Sequence, residues 1–371
     1  MRDGARHLYV HLPFCASRCG YCDFVTVVGH ADLHQAYVDA LLGELAFEQH
    51  LLAPELESIY LGGGTPTLTA PAELERLLAA LPPAHEVTVE ANPETVTPSL
   101  AALLSRNGVD RVSIGAQSFN TALLDVLDRR ARPDDVRLAM QRLRDAGIDN
   151  RSLDLIYGIP GQTPADLARD LDEALGLEPE HISAYELEAK PGTRFTHAHG
   201  AELLRQADEL ESYIEHVVER LTAAGYRWYE TANFCRRSDR AGGRDLRARH
   251  NLGYWLGHDY LGLGVGAVST IENRRWRNAP SIHRYVAAHS RGARPDRELE
   301  VLSASDRATE RVMLGLRLDE PLPLADLGDV VDGAALDRLA QGGLAVHREA
   351  SVTLTPRGRL LGGGVTARLL A

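Results

Sequence analysis

The feature that most limits how this chain can fold is the alternation of short apolar runs with amphipathic stretches over roughly its first 230 residues. Six runs have the length and composition of buried strands: Leu8–His11, Ile59–Leu61, Val87–Glu90, Arg111–Gly115, Ser152–Ile156 and His181–Tyr185. Five stretches between them have helical spacing: Ala31–His50, Ala72–Ala80, Pro98–Arg106, Asp134–Ala146 and Pro164–Leu175. Repeated strand–helix units give parallel strands with helices outside, and six units are two short of a closed eightfold barrel. We therefore predict an α/β fold built on an open, partial TIM-like (β/α)6 barrel.

Two of these helices carry start signals. Thr163-Pro164 and Thr97-Pro98 each place a possible N-cap residue before a proline, which suits the first helical turn. These pairs predict where both helices begin.

The last part of the chain has a different pattern. Helical spacing around Ser305–Leu316 and Ala334–Gln341 is followed by the alternating run Ser351–Thr355. This order predicts a small α+β, winged-helix-like domain. We divide the chain into a core at 1–232, a connecting segment at 233–300 that holds the motif HNLGYW, and a C-terminal domain at 301–371.

Charge and hydropathy exclude several classes of protein. The formal net charge of −12 argues against a broad nucleic-acid surface. The start, MRDGARHLYVHLPFC, lacks an apolar stretch long enough for a signal peptide, and no later run has membrane-spanning length. We therefore expect a cytoplasmic protein with no membrane-spanning segment and no nucleic-acid partner.

The strongest chemical signal is CASRCGYC at residues 15–22, where three of the four cysteines of the chain lie close together. Clustered thiols in a reducing compartment indicate metal or redox chemistry rather than disulfides. A structural zinc site normally has four protein ligands, and Cys235 stands alone far along the chain. Three thiolates suit a four-iron cluster that leaves one iron open. A zinc site or an incidental cysteine cluster is the alternative.

This motif, preceded by LYVHLPF and followed by Asp23-Phe24, resembles the coproporphyrinogen-oxidase-like branch of the radical S-adenosylmethionine (SAM) proteins. Within that branch the chain is most similar to the HemW-type heme chaperones. The resemblance covers nearly the whole chain through YLGGGTPT, VEANPET, SIGAQSF, LDLIYGIPGQT and HNLGYW. It implies a barrel of the radical SAM type and a [4Fe–4S] cluster on Cys15, Cys19 and Cys22. SAM would chelate the open iron and be cleaved by one electron to methionine and a 5′-deoxyadenosyl radical.

The resemblance also implies ligand-binding residues and partners. Tyr9 and Tyr21 would touch SAM beside the cluster, and a further set would contact its methionine end, SAM or a second SAM-sized ligand: Gly63, Gly64, Thr65, Glu90, Gln117, Arg129 and Asp154. Heme would be bound as cargo. The implied partners are a heme-accepting protein and a small electron donor.

The positions of these residues on the predicted strands agree with that grouping, because active sites in such folds gather at the carboxyl ends of the strands. Each residue also has a plain alternative. The Gly62–Gly64 run could be a simple turn, and Glu90 an ion-pair partner. Gln117 and Asp154 could be satisfied buried groups, and Arg129 could belong to a solvated face.

The motif HNLGYW at residues 250–255 is the candidate heme site. If it is helical, His250 and Tyr254 share one face, and imidazole is a common ligand of heme iron. An aromatic core cluster with a hydrogen-bonded histidine is the alternative that the residue types alone favour. The family resemblance shifts the prediction towards heme ligation by His250.

The chain departs from its relatives at several positions. Porphyrinogen-decarboxylating relatives have a further cysteine where this chain has Phe24, and a long N-terminal extension before the first strand; both differences argue against decarboxylation. Heme chaperones often have a cysteine near Ala248 and a histidine at the position of Val268. Two functions therefore remain: a heme chaperone, and an oxygen-independent coproporphyrinogen III oxidase or another radical enzyme.

Overall fold

The structure is a computed structural model that describes residues 4–190, 193–239, 243–325 and 327–370. The first half alternates strands and helices. The strands are β1 (His7–Leu12), β2 (Phe14–Cys15), β3 (Val27–Val28), β4 (Ser58–Gly63), β5 (Val87–Ala91), β6 (Arg111–Gln117), β7 (Asn150–Tyr157) and β8 (His181–Glu186). The helices are α1 (His34–Glu48), α2 (Pro71–Ala80), α3 (Pro98–Arg106), α4 (Thr121–Val126), α5 (Pro133–Asp145) and α6 (Pro164–Gly176).

Six of these strands form the parallel part of one sheet, in the order β1-β4-β5-β6-β7-β8. Apolar side chains such as Leu8, Ile59 and Leu153 are fully buried in the core cluster that fills the barrel and its helical layer. The predicted strands and helices are all present, with ends shifted by a few residues at most. The structure adds α4, whose six residues are too short to show helical periodicity in the sequence.

The second part of the chain extends the same sheet. Its strands are β9 (Tyr226–Trp228), β10 (Asn233–Arg236), β11 (Tyr260–Leu263), β12 (Val268–Ile271), β13 (Arg274–Asn278) and β14 (Arg297–Val301). Its helices are α7 (Arg194–Gln206), α8 (Leu210–Ala223), α9 (Arg249–Trp255) and α10 (Ile282–Ser290). Strand β11 adds to β1 in parallel, and β10 adds to β8 antiparallel. The sheet therefore continues across residue 232, where the sequence suggested a division.

The ends of the twelve-stranded sheet are β14 and β9, which do not pair with each other in the part of the chain that the structure describes. The barrel is thus open, as predicted from the count of strand–helix units. In the same described residues, no helix combines the length and the apolar character that crossing a membrane requires.

The C-terminal part is a small α+β unit with its own apolar core. It contains β15 (Leu322–Pro323), β16 (Ala345–Arg348) and β17 (Ser351–Leu354), which pair in the order β15-β17-β16. Its helices are α11 (Ala304–Gly315), α12 (Gly333–Gln341), α13 (Pro356–Leu360) and α14 (Gly362–Leu369). Helices followed by a hairpin confirm the predicted α+β tail.

Side-chain caps explain why several helices begin where they do. The Thr163 hydroxyl accepts a hydrogen bond from the Asp166 N–H at 3.2 Å, and the Asp166 carboxylate accepts one from the Thr163 N–H at 3.0 Å. Thr97 accepts from the Leu100 N–H at 3.1 Å. Each cap satisfies backbone N–H groups that have no partner in the first turn, so both predicted helix starts are confirmed.

Candidate functional site

A cavity of about 600 Å³ lies at the carboxyl ends of the parallel strands. Most of the residues that the sequence and its resemblance single out line it together: Cys15, Cys19, Cys22, Tyr21, Gly63, Gly64, Thr65, Glu90, Gln117, Arg129 and Asp154. Tyr9 and His250 are not among its lining residues. Residues from six separate strand ends and loops therefore meet at one mouth, which is where ligands bind in folds of this kind.

The cysteine loop leaves β2 and returns through β3, because Phe14 pairs with Val27 and Cys15 with Val28. All three cysteines are free and half-buried. The Thr65 hydroxyl donates to Cys15 Sγ at 3.7 Å, and Arg129 Nη1 donates to Cys19 Sγ at 3.6 Å. Hydrogen bonds to sulfur and a nearby cation are features that tune cysteine-bound iron–sulfur clusters. The donor set therefore fits the implied cluster.

Two further observations concern metal binding by cysteine. Burial raises the pKa of the Cys15 and Cys22 thiols. The fit to the cluster is therefore one of ligand chemistry: within the described ranges the three thiols are not grouped as a formed metal site. Cys235 lies elsewhere, buried in a small apolar cluster with Tyr229 and Leu246.

The glycine run after β4 is required by close packing. Gly63 has φ +108°, and a Cβ there would lie 2.4 Å from His11 Cε1. A Cβ on Gly64 would lie 2.6 Å from the carbonyl carbon of Pro13. The run therefore forms the tight strand-end turn that the sequence allowed, packed against His11 and Pro13.

Two half-buried carboxylates face the cavity from strands β5 and β7, which lie on either side of β6. Glu90 accepts hydrogen bonds from the Tyr60 hydroxyl at 2.7 Å and the Gly63 N–H at 3.1 Å. Burial, and to a smaller extent the charge of Asp154, raise the pKa of Glu90 to about 7 against the lowering effect of the hydrogen bonds from Tyr60 and Gly63. Burial also raises the pKa of Asp154, which accepts from the Ser113 hydroxyl at 3.0 Å. Such carboxylates can accept hydrogen bonds from the hydroxyl groups of a bound nucleoside.

Gln117 and Arg129 present unpartnered polar atoms at the same mouth. Gln117 ends β6 at φ +65°, beside a shift in the pairing register, and its buried Oε1 has no hydrogen-bond partner among the described residues. Arg129 is 9% exposed, and its Nη2 donates to the Gly115 carbonyl at 2.7 Å, while its Nε has no partner in the part of the chain that the structure describes. Arg129 is therefore not part of a solvated face. Unsatisfied buried atoms of this kind suit a site that a ligand completes.

Several lining residues escaped the sequence analysis. Asn92 accepts from Arg129 Nη2 at 2.9 Å, and its own amide donates to the Thr65 hydroxyl at 3.1 Å. Ser113 precedes Gly115 and Gln117 at alternate positions of β6, and strand alternation could have predicted that all three share a face. Tyr60 lies on β4 and could have been found in the same way.

Tyr9 and His250 lie behind the cavity in an aromatic and histidine cluster. Helix α9 places His250 and Tyr254 on one face, as their spacing predicts. His250 is 2% exposed; its Nδ1 lies 2.9 Å from Ser58 Oγ and its Nε2 lies 3.0 Å from the Tyr254 hydroxyl. Burial lowers the pKa of His250 to about 3, so the ring is neutral. Both ring nitrogens are hydrogen-bonded, and ligation of iron would require the bond to Tyr254 to break. Tyr9 bonds to His11 Nδ1 at 3.0 Å.

Comparison with protein families gives two matches. Residues 9–174 match the model of the radical SAM superfamily, and residues 302–361 match that of the HemN C-terminal domain. The first range carries the cysteine loop and the residues of the cavity up to Asp154, and the second covers most of the C-terminal α+β unit.

Curated relatives align over nearly the whole length. A protein of Mycobacterium tuberculosis named heme chaperone HemW is 38% identical over 98% of this chain and 94% of its own. Proteins of the same name from Bacillus subtilis and Escherichia coli are each 33% identical; the alignments cover 98% and 90% of this chain, respectively, and the same shares of the relatives. The solved structure of coproporphyrinogen III oxidase from Escherichia coli superposes with a TM-score of 0.81 at 24% identity, covering 98% of this chain and 90% of that chain. This last likeness shows a common fold.

Proposed function

This chain belongs to the HemW family of radical SAM proteins, and from that premise we propose that it is a heme chaperone, which binds heme and passes it to a recipient protein. The observation that carries the proposal is the near full-length similarity to relatives named heme chaperone. The enzyme named coproporphyrinogen III oxidase shares the fold at lower identity.

In this proposal, the cavity at the barrel mouth binds an iron–sulfur cluster and SAM. Cys15, Cys19 and Cys22 would hold the cluster, with Thr65 and Arg129 donating hydrogen bonds to two of the sulfurs. A cluster of this type supplies single electrons to SAM when it is reduced. Arg129 would also offset the negative charge of the thiolates, because its guanidinium is buried beside Cys19.

The same proposal assigns the remaining polar groups of the cavity to SAM. Glu90 and Asp154 would accept hydrogen bonds from ribose hydroxyls or stand near the positive sulfonium group. The unpartnered Oε1 of Gln117 is a free acceptor for an N–H or O–H group of the ligand. Tyr21 lines the cavity beside the cysteines, whereas Tyr9 would act from behind, through its bond to His11.

The chaperone proposal predicts that the radical chemistry of the oxidase is absent. Phe24, which stands where decarboxylating relatives have a further cysteine, lines the cavity and is 61% exposed. A phenyl ring there cannot supply a thiol to a porphyrinogen.

We propose heme and a heme-accepting protein as partners, together with a small electron donor, and the cytoplasm as location.

The proposal also assigns a separate function to each of the three predicted segments of the chain. Residues 1–232 would carry the cluster and SAM, residues 233–300 the heme-binding motif, and residues 301–371 a domain that covers one side of it.

Product analysis under anaerobic conditions tests the function. Reconstituted protein is incubated with coproporphyrinogen III, SAM and a reductant, and the porphyrinogens are separated. We expect coproporphyrinogen to be recovered unchanged. Formation of protoporphyrinogen with loss of carbon dioxide would contradict the chaperone proposal and show that the protein is a coproporphyrinogen III oxidase. An alanine variant of Cys19 serves as the control, because it removes any cluster-dependent chemistry.

A further inference from the structure

A second cavity, of about 860 Å³, lies away from the barrel mouth, between the end of α9, strand β11 and helix α11 of the C-terminal part. This volume falls within the range of about 300–1,000 Å³ that is usual for sites of cofactor-sized ligands. Its walls include Tyr254 and Trp255 of the HNLGYW motif as well as Ala308 and Leu314. The cavity therefore joins the motif to residues of the C-terminal domain.

One wall presents an imidazole nitrogen with a free lone pair. His258 is exposed at the cavity, and its Nδ1 lies 3.2 Å from His7 Nε2. Among the residues that the structure describes, His258 Nε2 has no hydrogen-bond partner. Partial burial of the ring and the nearby positive charge of Arg311 lower the pKa of His258, which favours the neutral imidazole. A neutral imidazole that is held by a hydrogen bond at one nitrogen and free at the other is the usual arrangement of a histidine metal ligand.

His258 is the outer end of a hydrogen-bonded chain. His7 Nδ1 lies 2.8 Å from Ser58 Oγ, Ser58 Oγ lies 2.9 Å from His250 Nδ1, and His250 Nε2 lies 3.0 Å from the Tyr254 hydroxyl. If His258 Nδ1 carries the proton, every link has one donor and one acceptor: His258 to His7, His7 to Ser58, Ser58 to His250, and His250 to Tyr254. The lone pair of His258 Nε2 is then available to a ligand of the cavity that His258 lines.

Another wall carries a cation that has no carboxylate partner in the described part of the chain. Arg311 lines the cavity and donates from Nη1 to the Trp255 carbonyl at 3.2 Å. Its neighbours differ, because Arg275 pairs with Glu310 at 2.7 Å and Arg307 pairs with Asp259 at 3.2 Å. A half-buried guanidinium without a counter-ion favours an anionic ligand.

The cavity also offers a flat apolar surface. The Trp255 indole lines it, and its buried Nε1 has no hydrogen-bond partner within the described ranges. The Arg317 guanidinium lies over this ring, 4.3 Å from its centre, and holds it in place. Aromatic faces and small side chains such as Ala308 are suited to a planar macrocycle.

We propose that this cavity is the heme site, with His258 Nε2 bound to the iron and Arg311 paired with a propionate. The proposal rests on the chaperone function given above and names the residues that would carry it. His250, which the sequence suggested as the ligand, becomes a positioning residue: it acts through Ser58 and His7 on the orientation of His258.

The test is a hemin titration of anaerobically reconstituted protein, followed by the Soret band and by electron paramagnetic resonance. His258→Ala should lose the histidine-ligated spectrum, and added imidazole should restore it. His250→Ala should keep a histidine-ligated spectrum with a shifted Soret maximum. His283→Ala is the control, because His283 is exposed and lies outside the cavity. Cluster iron content shows that each variant is folded.

The outcomes separate this inference from the function. Hemin binding by the parent protein with an unchanged spectrum in His258→Ala would overturn the site and leave the chaperone proposal standing. Loss of ligation in His250→Ala alone, with rescue by imidazole, would overturn it in favour of His250. Failure of the parent protein to bind hemin would overturn both.

Arg311 is tested with two probes. Arg311→Gln should weaken hemin binding about tenfold, which is the usual effect of losing one hydrogen-bonded charge pair. The same substitution should leave the affinity for hemin dimethyl ester unchanged, because the esters carry no negative charge. Equal losses with both probes would mean that Arg311 supports Trp255 and does not bind a propionate, and that part of the proposal would fall.

Discussion

At the scale of single residues, the barrel mouth combines three thiols, one buried cation and two half-buried carboxylates. From the sequence, the cysteines, Glu90 and Asp154 are expected to share one edge of the sheet, because each follows, ends or lies on a predicted strand, and all of them line the cavity. The sequence does not decide between a buried and a solvated Arg129, because the run DRRAR looks solvated and the contacts of Arg129 with Cys19, Asn92 and Gly115 join distant parts of the chain. The free nitrogen of His258 could not be predicted, because its contact with His7 depends on the remote pairing of β11 with β1.

The cysteine assignment gives a first prediction. Alanine at Cys15, Cys19 or Cys22 should remove most of the iron and the visible absorbance of the anaerobic protein, because each thiolate holds one corner of the cluster. Cys235→Ala is the matched control, since this thiol is buried among Tyr229 and Leu246. Iron and sulfide analysis decides the matter. An intact cluster in Cys22→Ala, or about one zinc per chain in place of iron, would contradict the assignment.

Glu90 gives a prediction about pH. Its pKa of about 7 in the folded protein lies above the ordinary value of 4.5, so the native state binds more protons than the unfolded state between these two values. Stability contributed through Glu90 is therefore lost as the pH rises from about 4.5 through 7. Glu90→Gln cannot lose a proton, and the difference in Tm between variant and parent apoprotein should move in favour of the variant from pH 5 to pH 8.

The same substitution separates stability from ligand binding. Glu90→Gln should weaken SAM binding by about 1–3 kcal/mol, the usual range for hydrogen bonds to a charged group. Isothermal titration of the reconstituted protein measures this loss. An unchanged affinity for SAM would mean that Glu90 has only a structural role beside Tyr60. A Tm difference that does not depend on pH would mean that the pKa of Glu90 is not raised.

At the scale of elements, strand and helix positions followed closely from periodicity, whereas the extension of the sheet did not. Helix α2 and strand β7 are long enough for apolar spacing to identify them. Strands β11 to β14 have only four or five residues each, and β11 pairs with β1 across most of the chain length. Local patterns carry no information on such distant pairing, so residues 233–300 looked like a connecting segment.

The turn after β4 gives a prediction at this scale. Gly63→Ala should destabilise the protein by about 1–3 kcal/mol, because the backbone has φ +108° and the new methyl group would overlap the His11 ring. Gly108→Ala is the matched control: φ is +74° there, and no atom lies within 4 Å of a Cβ. Urea unfolding of both variants separates the steric effect from the backbone effect. Equal losses of free energy would mean that the contact with His11 carries no cost.

At the scale of the whole molecule, the C-terminal unit is joined to the barrel by ionic contacts. Arg227 on β9 pairs with Asp319 at 2.7 Å and with Glu320 at 3.0 Å. Arg359 on α13 donates to the Trp228 carbonyl at 2.8 Å, and its guanidinium lies over the Trp228 ring. The tail itself was predictable from its helical and alternating patterns. These contacts were not, because they join residues about a hundred positions apart.

The ion pair between Arg227 and Asp319 gives a prediction about the attachment of the C-terminal unit to the barrel. Arg227→Gln should cost about 1 kcal/mol or less, since both side chains are partly exposed and solvent screens the pair. Limited proteolysis should nonetheless cut faster between residues 302 and 321. Arg220→Gln is the control, because it breaks an exposed pair with Asp172 inside the barrel layer. Equal cleavage rates in the two variants would mean that the pair does not hold the C-terminal unit in place.

The most direct measurement of the central claim is an anaerobic hemin titration of the reconstituted protein, with cluster iron assayed in the same sample. The chaperone account predicts saturable binding of about one hemin per chain while the cluster stays intact, as expected for a dedicated ligand site. It also predicts that the bound heme leaves for an added apo-hemoprotein. Absence of saturable binding, or binding only after the cluster is lost, would contradict the account.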